Sequence, residues 1–216
     1  DRISVLRAGK IVGEGLPGQT SDQELAEMMV GRPVVFEVEK KPFEPREVLL
    51  DVRGLTVLRD DDSVAVDNAS VSIRSGEIVG IAGVQGNGQT ELVEALTGLR
   101  RASSGTVTFQ GKDITQASAR ERHRMGFAHV PEDRQRAGMV SDFTVAENMA
   151  LNTYYAPPYS RGILMDWPKI YEDSARNVVA FDVRTQSIFT PAGTLSGGNQ
   201  QKMIVARELS RDTKLL

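Results

Sequence analysis

Apolar residues recur along this chain with two different periods. Residues 2–12 alternate as two short strands about a turn at Ala8, Gly9 and Lys10. From Ser21 the spacing lengthens to that of a helix. Ser21 can cap it, Glu24 stands three residues on, and Leu25, Met28 and Met29 share one face, with Gly31 and Pro33 as the stop. Residues 37–47 are dense in charge, include Pro42 and Pro45, and read as an exposed linker. Two β-rich runs follow, 48–57 and 64–73, with Asp60, Asp61 and Asp62 between them as a solvated turn rather than a metal site. Residues 77–82 are almost continuously apolar, which predicts a strand covered on both faces. A helix is expected over 90–99, with Leu92, Val93, Leu96 and Leu99 along one stripe and Gly98 near its end. Short strands at 106–109 and 126–130, and helical spacing over 145–151 and 168–181, complete the series; Pro168 suits a first helical turn. Strand, tight glycine turn and helix, followed by more of each, predict an α/β domain with a mostly parallel core sheet.

Composition narrows the classes. Of 216 residues, 40% are hydrophobic and 25% charged, an ordinary folded mixture. The formal charge of −3 supplies no basic footprint for nucleic acid. The absence of cysteine removes disulfides, thiolate metal sites and a cysteine nucleophile. No apolar run approaches the roughly 18 residues that cross a bilayer. His123 and His129 read as surface or strand residues without a catalytic role. The chain opens on Asp1 and breaks off at Leu216 just as an apolar strand begins, so a piece of a longer polypeptide is expected, its best-formed domain starting near Arg46.

Between the apolar run and the helix lie Gly83, Val84, Gln85, Gly86, Asn87, Gly88, Gln89 and Thr90. The phosphate-loop pattern asks for glycine, four residues, glycine, lysine and a hydroxyl residue. Gly83, Gly88 and Thr90 fit, and Gln89 occupies the lysine position. Glycines let successive N–H groups converge on phosphate oxygens, and the helix N-terminus adds partial positive charge. Thr90 is positioned to place its hydroxyl on Mg²⁺. Glutamine donates hydrogen bonds but carries no charge. A charge-assisted hydrogen bond contributes about 1.5–3 kcal/mol and a neutral one about 1 kcal/mol. Binding without efficient turnover is the expectation for this loop.

Further along come Leu195, Ser196, Gly197, Gly198, Asn199, Gln200, Gln201 and Lys202, opening a helix with apolar Met203, Ile204, Ala206 and Leu209. Simple capping by Ser196 explains neither the two glycines nor the Asn199, Gln200 and Gln201 run. This segment resembles the signature motif of ABC transporter ATPases, and its Gly-Asn-Gln-Gln-Lys form is similar to the duplicated ATPases of simple-sugar and nucleoside importers. His129 to Arg134 resembles the region of that family's Q-loop, and Thr144 to Asn148 the opening of its helical subdomain. Gly86 to Leu92 resembles the lysine-free loop of the second ATPase half, and residues 1–10 the closing strands of the first. Two departures stand out: Glu132 holds the place of a glutamine, and no aromatic residue lies near Leu58 or Arg59, where the family often stacks adenine.

The resemblance implies a P-loop NTPase fold of the ABC type: a mostly parallel core sheet, an antiparallel β subdomain and a helical subdomain over 133–191, cut before the Walker B strand. Residues 1–34 would be the tail of a first ATPase domain, 35–47 a linker, and 48–216 most of a second. It implies ATP and Mg²⁺ as ligands, with Gly83 to Thr90, Glu91, Glu132, Leu195, Asn199 and Gln200 binding nucleotide and Thr90 the metal. Ser196, Gly197 and Gly198 would act in trans on the nucleotide of the first half. Implied partners are transmembrane permease subunits, the first ATPase half of the same polypeptide and, indirectly, a periplasmic or lipoprotein solute-binding protein, with no nucleic acid. The place implied is the cytoplasmic face of the cell membrane. The solute would be a simple sugar or nucleoside, the latter preferred. A non-catalytic nucleotide-binding regulator and a soluble ABC-type ATPase are the alternatives. Tyr154 to Tyr159, rich in tyrosine and proline, fits either a docking surface or a loop packed on its own domain.

Overall fold

The computed structural model describes all residues except 8, 32, 34–43 and 45, and the chain forms two compact units, Asp1–Glu44 and Pro45–Leu216. The expected linker lies almost wholly outside the described residues. In the first unit, β1 (Ile3–Arg7) and β2 (Lys10–Gly15) pair antiparallel, and α1 (Asp22–Val30) follows. Ser21 and Glu24 make a reciprocal capping box: Ser21 N donates to Glu24 Oε2 (2.8 Å) and Glu24 N to Ser21 Oγ (3.2 Å). Gly31 ends α1 in the left-handed conformation, φ 79°. No residue of α1 is buried.

The second unit is built on an antiparallel sheet in the order β4-β3-β5-β6, from β3 (Val48–Leu58), β4 (Val64–Arg74), β5 (Ser104–Phe109) and β6 (Lys112–Asp113). Val52 of the central strand faces Val71 on one side and Val107 on the other. Alternation puts Leu50, Val52, Val107 and Phe109 on one face, where they bury against Leu92 and Ala95 of α2 (Gln89–Thr97). The stripe expected on this helix is narrower than its sequence indicates, since Leu92 is buried while Val93 and Leu99 are exposed.

The mostly parallel core sheet is not formed by the described residues. Residues 77–82 belong to no strand; Ile78 is 92% exposed and Ile81 56%. Their apolar character suits a covered strand, but beyond Glu77, whose N–H donates to Arg74 O (3.0 Å), no described backbone accepts their hydrogen bonds. Residues 126–130 are likewise reduced to an isolated parallel bridge, Phe127 with Leu215, where Ala128 N donates to Leu215 O at 2.7 Å.

Helix α3 (Ala119–Arg124), capped by Ser118 and Glu121, carries the buried Arg122. Its guanidinium donates to the carbonyls of Ala95 (2.9 Å) and Leu96 (2.7 Å) in the last turn of α2, and to those of Ile114 (2.8 Å), Thr115 (3.1 Å) and Ala117 (3.0 Å). A cation at the carbonyl end of α2 also meets the helix dipole favourably. A second core lies among α4 (Val145–Ala150), α5 (Trp167–Ala180) and α6 (Gly197–Leu209), where Val145, Met149, Met203, Ile204 and Ala206 are buried. Asn148, fully buried, closes the entry to α4. It accepts from Val140 N (2.9 Å) and donates to Val140 O (2.9 Å) and Thr144 O (3.0 Å). A short hairpin, β7 (Ser160–Arg161) with β8 (Leu164–Met165), joins α4 to α5.

Replacing Arg122 by Met leaves those carbonyls without a donor. The second unit is expected to lose about 3 kcal/mol or more by denaturant unfolding. Unchanged stability of Arg122→Met contradicts this account of the α2–α3 joint.

Candidate functional site

The loop from Gly83 to Gly88 is a sharp turn feeding α2. Gly86 (φ 89°) and Gly88 (φ 100°) take left-handed conformations that a side chain strains. At Gly88 a Cβ would also strike the Ala65 carbonyl of β4, so this glycine is needed twice over. Within the described residues, Asn87 N donates to Val84 O (3.2 Å), while the N–H groups of Gln85, Gly86 and Gly88 have no backbone partner. These free amides are the donors that a phosphate takes at such a turn. Gln89 folds back over them: its Nε2 donates to Val84 O at 3.2 Å and lies where a Cβ on Gly83 would sit. Thr90 is exposed at the second position of α2, its hydroxyl without a partner among the described residues. Those residues hold no cluster of three or more His, Asp or Glu able to bind a metal. A Mg²⁺ here fits as an ion held by Thr90, phosphate oxygens and water.

Sequence reasoning missed Arg59. It donates to Val64 O (2.9 Å) and to Gly86 O (3.1 Å), and pairs with Glu91 at 3.5 Å. It ties the loop tip to the β3–β4 hairpin. Glu91, one of the expected binding residues, has its carboxylate paired with Arg59.

The second segment caps α6. Ser196 is the N-cap residue by backbone conformation, yet its hydroxyl makes no capping bond; it accepts from Asn199 Nδ2 at 2.9 Å. Asn199 Oδ1 in turn accepts from Arg184 N (2.9 Å). Ser196 and Gly198 are exposed, and a side chain on Gly198 would meet open space. Two of the expected binding residues, Gln200 and Leu195, make contacts within the chain. Gln200 is 2% exposed, receives Arg134 Nε at 3.1 Å and donates to Ala192 O (3.3 Å) and Gly193 O (3.4 Å). Its amide is consumed inside the protein. Leu195 packs its side chain on the second core.

Glu132 is exposed and shares a depression of about 480 Å³ with Gln85, Asp133, Arg134 and Gln135, so the loop before α2 and the segment after Pro131 come together. That segment continues as a π-helical turn, Arg134–Gly138, capped by Asp133 Oδ1, which accepts from Gln135 N and Arg136 N (both 3.0 Å). Elsewhere a groove of about 330 Å³ is lined by Leu99, His123, His129, Asn152 and Tyr155, among others. Two buried polar atoms of its lining residues, His123 Nε2 and Asn152 Oδ1, have no partner among the described residues. Tyr155 is stacked by Arg120 (4.3 Å) and Arg124 (5.4 Å), and Tyr159 donates to Asp173 at 3.0 Å. The aromatic cluster therefore packs largely on its own domain. Tyr154 remains exposed.

This architecture is that of an ATP-binding cassette. A nucleotide-free ATP-binding cassette from an ABC transporter matches with a TM-score of 0.62 at 24% identity, covering 76% of this chain and 65% of that one. A dimeric bacterial ABC transporter cassette gives 0.60 at 20% identity, over 76% and 71%. Residues 66–216 match the family described as ABC transporter, and the chain belongs to that family. It is 46% identical over 216 residues to the nucleoside import ATP-binding protein NupA of Lactococcus lactis subsp. cremoris, all of this chain against 43% of that protein. Against the guanosine import ATP-binding protein NupO of Bacillus subtilis the figures are 43% identity and 42% of that protein. The glucose import ATP-binding protein TsgD13 of Haloferax volcanii is 43% identical, with 40% of its length covered. The chain thus spans less than half the length of these relatives. No described helix is long and apolar enough to cross a membrane.

His123 and His129 are half-buried rather than surface residues. Burial lowers both from the ordinary 6.5; Arg211 adds repulsion at His123, and Glu208 opposes the effect at His129. A histidine with a lowered folded pKa is neutral when folded and gains a proton on unfolding. Its stabilisation is present above about pH 6.5 and lost as pH falls below it. Unfolding free energy is therefore expected to decline between about pH 6.5 and 5, before the carboxylates protonate. A double His123→Gln, His129→Gln variant should flatten that slope; an unchanged slope contradicts it.

Proposed function

We propose that this chain belongs to the ATP-binding component of an importer for a simple sugar or nucleoside, which binds ATP with Mg²⁺ and couples its hydrolysis to transport. The import roles of its relatives support this reading, and the nucleoside and guanosine importers at 46% and 43% identity favour a nucleoside. Residues 1–34 would close a first ATPase half and 48–216 supply most of a second. The complete protein would sit on the cytoplasmic face of the membrane against permease subunits, with a solute-binding protein engaged through them. The groove beside Tyr155 offers a permease segment two polar atoms that the described residues leave unpaired.

One observation carries the reading of mechanism: the two anion-ready turns differ in kind. The turn before α2 has free amides but an uncharged side chain, Gln89, lying across it. The turn at α6 leaves Ser196 and Gly198 exposed, with the serine hydroxyl free of any capping duty. In a head-to-tail pair of halves these turns serve different nucleotides. Gly83–Gly88 and Thr90 hold the one that turns over poorly. Ser196, Gly197 and Gly198 cover the terminal phosphate bound to the first half and donate hydrogen bonds to it as charge shifts. Asn199 acts by orienting the Ser196 hydroxyl.

In the complete protein with its membrane partners, Ser196→Ala is expected to lower transport-coupled ATPase activity by about tenfold or more. Gln89→Ala should leave it within about fivefold, the most that a neutral hydrogen bond of about 1 kcal/mol accounts for. Equal losses, or the reverse order, contradict the division of labour.

A further inference from the structure

We infer that Arg134 is a further phosphate-contacting residue of the site formed by Ser196, Gly197 and Gly198, an assignment that rests on the in-trans reading above. The signature segment carries little charge of its own. Lys202, the one charged residue between Leu195 and Lys202, is turned away and bound to Asp182, at 2.5 Å to the carboxylate and 2.8 Å to the carbonyl. Arg134 comes instead from the π-helical turn that runs beside α6. Its Nε donates to Gln200 Oε1 at 3.1 Å. Gln200 is itself buried and fixed to the Ala192 and Gly193 carbonyls, so the guanidinium is held from behind by a rigid group.

The front of the guanidinium lies against the first turn of α6. A Cβ on Gly197 would come within 2.7 Å of Arg134 Nη2. Glycine at 197 therefore makes room for the cation as well as for a ligand. Gln200 is the only hydrogen-bond partner of Arg134 among the described residues, which leaves most of its donors unused. Two buried arginines of this unit differ: Arg122 is spent on carbonyls, and Arg207 is bound to Glu208 (3.0 Å) and Gly138 O (2.9 Å). A guanidinium fixed along one edge, with its other donors free beside an exposed serine and glycine, suits the bidentate recognition of a phosphate group.

The far end of the same turn is strapped to α6 as well. A Cβ on Gly138 would approach Ile204 Cδ1 to 2.7 Å, and Arg207 holds the Gly138 carbonyl.

The test uses the complete protein assembled with its membrane partners. Arg134→Gln should raise KM for ATP by about tenfold or more while the inhibition constant for ADP, which lacks the terminal phosphate, stays unchanged. Arg134→Lys should recover part of the loss. An unchanged KM in Arg134→Gln, or parallel shifts for ATP and ADP, would overturn the assignment. Ser196→Ala separates the two levels: impaired turnover there with an unaffected Arg134→Gln sinks only the role of Arg134. Full activity in Ser196→Ala sinks the in-trans reading and this assignment with it.

Discussion

A helix can bury one stripe and must show the other. In α6 the buried stripe runs through Gln200, Met203, Ile204 and Arg207, spaced three, four and seven residues from its first member. With Met203 and Ile204 in the second core, and Arg207 and Glu208 paired inside the protein, the rotation of the helix is fixed. Ser196 and Gly198 are then carried to the outer side of its first turn. The π-helical turn, the segment after α4 and the bridge at Phe127 all meet this helix or its C-terminal end: Arg207 reaches Gly138, Asn152 donates to Glu208 Oε1 (2.9 Å), and Arg211, just past the helix, reaches the carbonyl of Phe127. Moving α6 would disturb each of them, so the signature turn is held by the interior rather than by its own loop.

The loop before α2 is held differently. Its shape follows from glycines in left-handed conformations and from Arg59, which grips its tip from the hairpin. It stands on an antiparallel sheet with a buried apolar core, yet the segment leading into it, residues 77–82, has no strand beside it among the described residues. One anion-ready turn is therefore anchored by a packed core, and the other by backbone geometry and a single guanidinium. The chemistry divides the same way. The loop before α2 offers amides and a neutral glutamine, and the turn at α6 offers a hydroxyl with a cation lodged beside it.

Much of this was legible in the sequence, for physical reasons that differ from place to place. The capping pair Ser21 and Glu24, the alternation over 106–109 and the glycine turns are local devices, so their signals are local as well. Residues 77–82 misled because an apolar run records what a segment would bury, while a strand also needs neighbouring backbone. Gln200 was singled out from its motif, and counting back three from Met203 places it on the buried stripe as well. Arg134 carried no such signal. Its place depends on a turn crossing back over α6 from more than sixty residues away, a separation of 66 to its partner Gln200. Arg59 was noticed only as a missing aromatic, and its grip on Gly86 spans 27 residues.

The central claim is that hydrolysis occurs on the nucleotide covered by Ser196, Gly197 and Gly198, not on the one held by residues 83–90. Photolabelling the complete transporter with a reactive ATP analogue trapped by vanadate tests it directly, since vanadate retains nucleotide only where turnover has occurred. The account predicts label in the phosphate-loop region of the first ATPase half and little in the peptide carrying residues 83–97. Equal or greater trapped label in that peptide would contradict it.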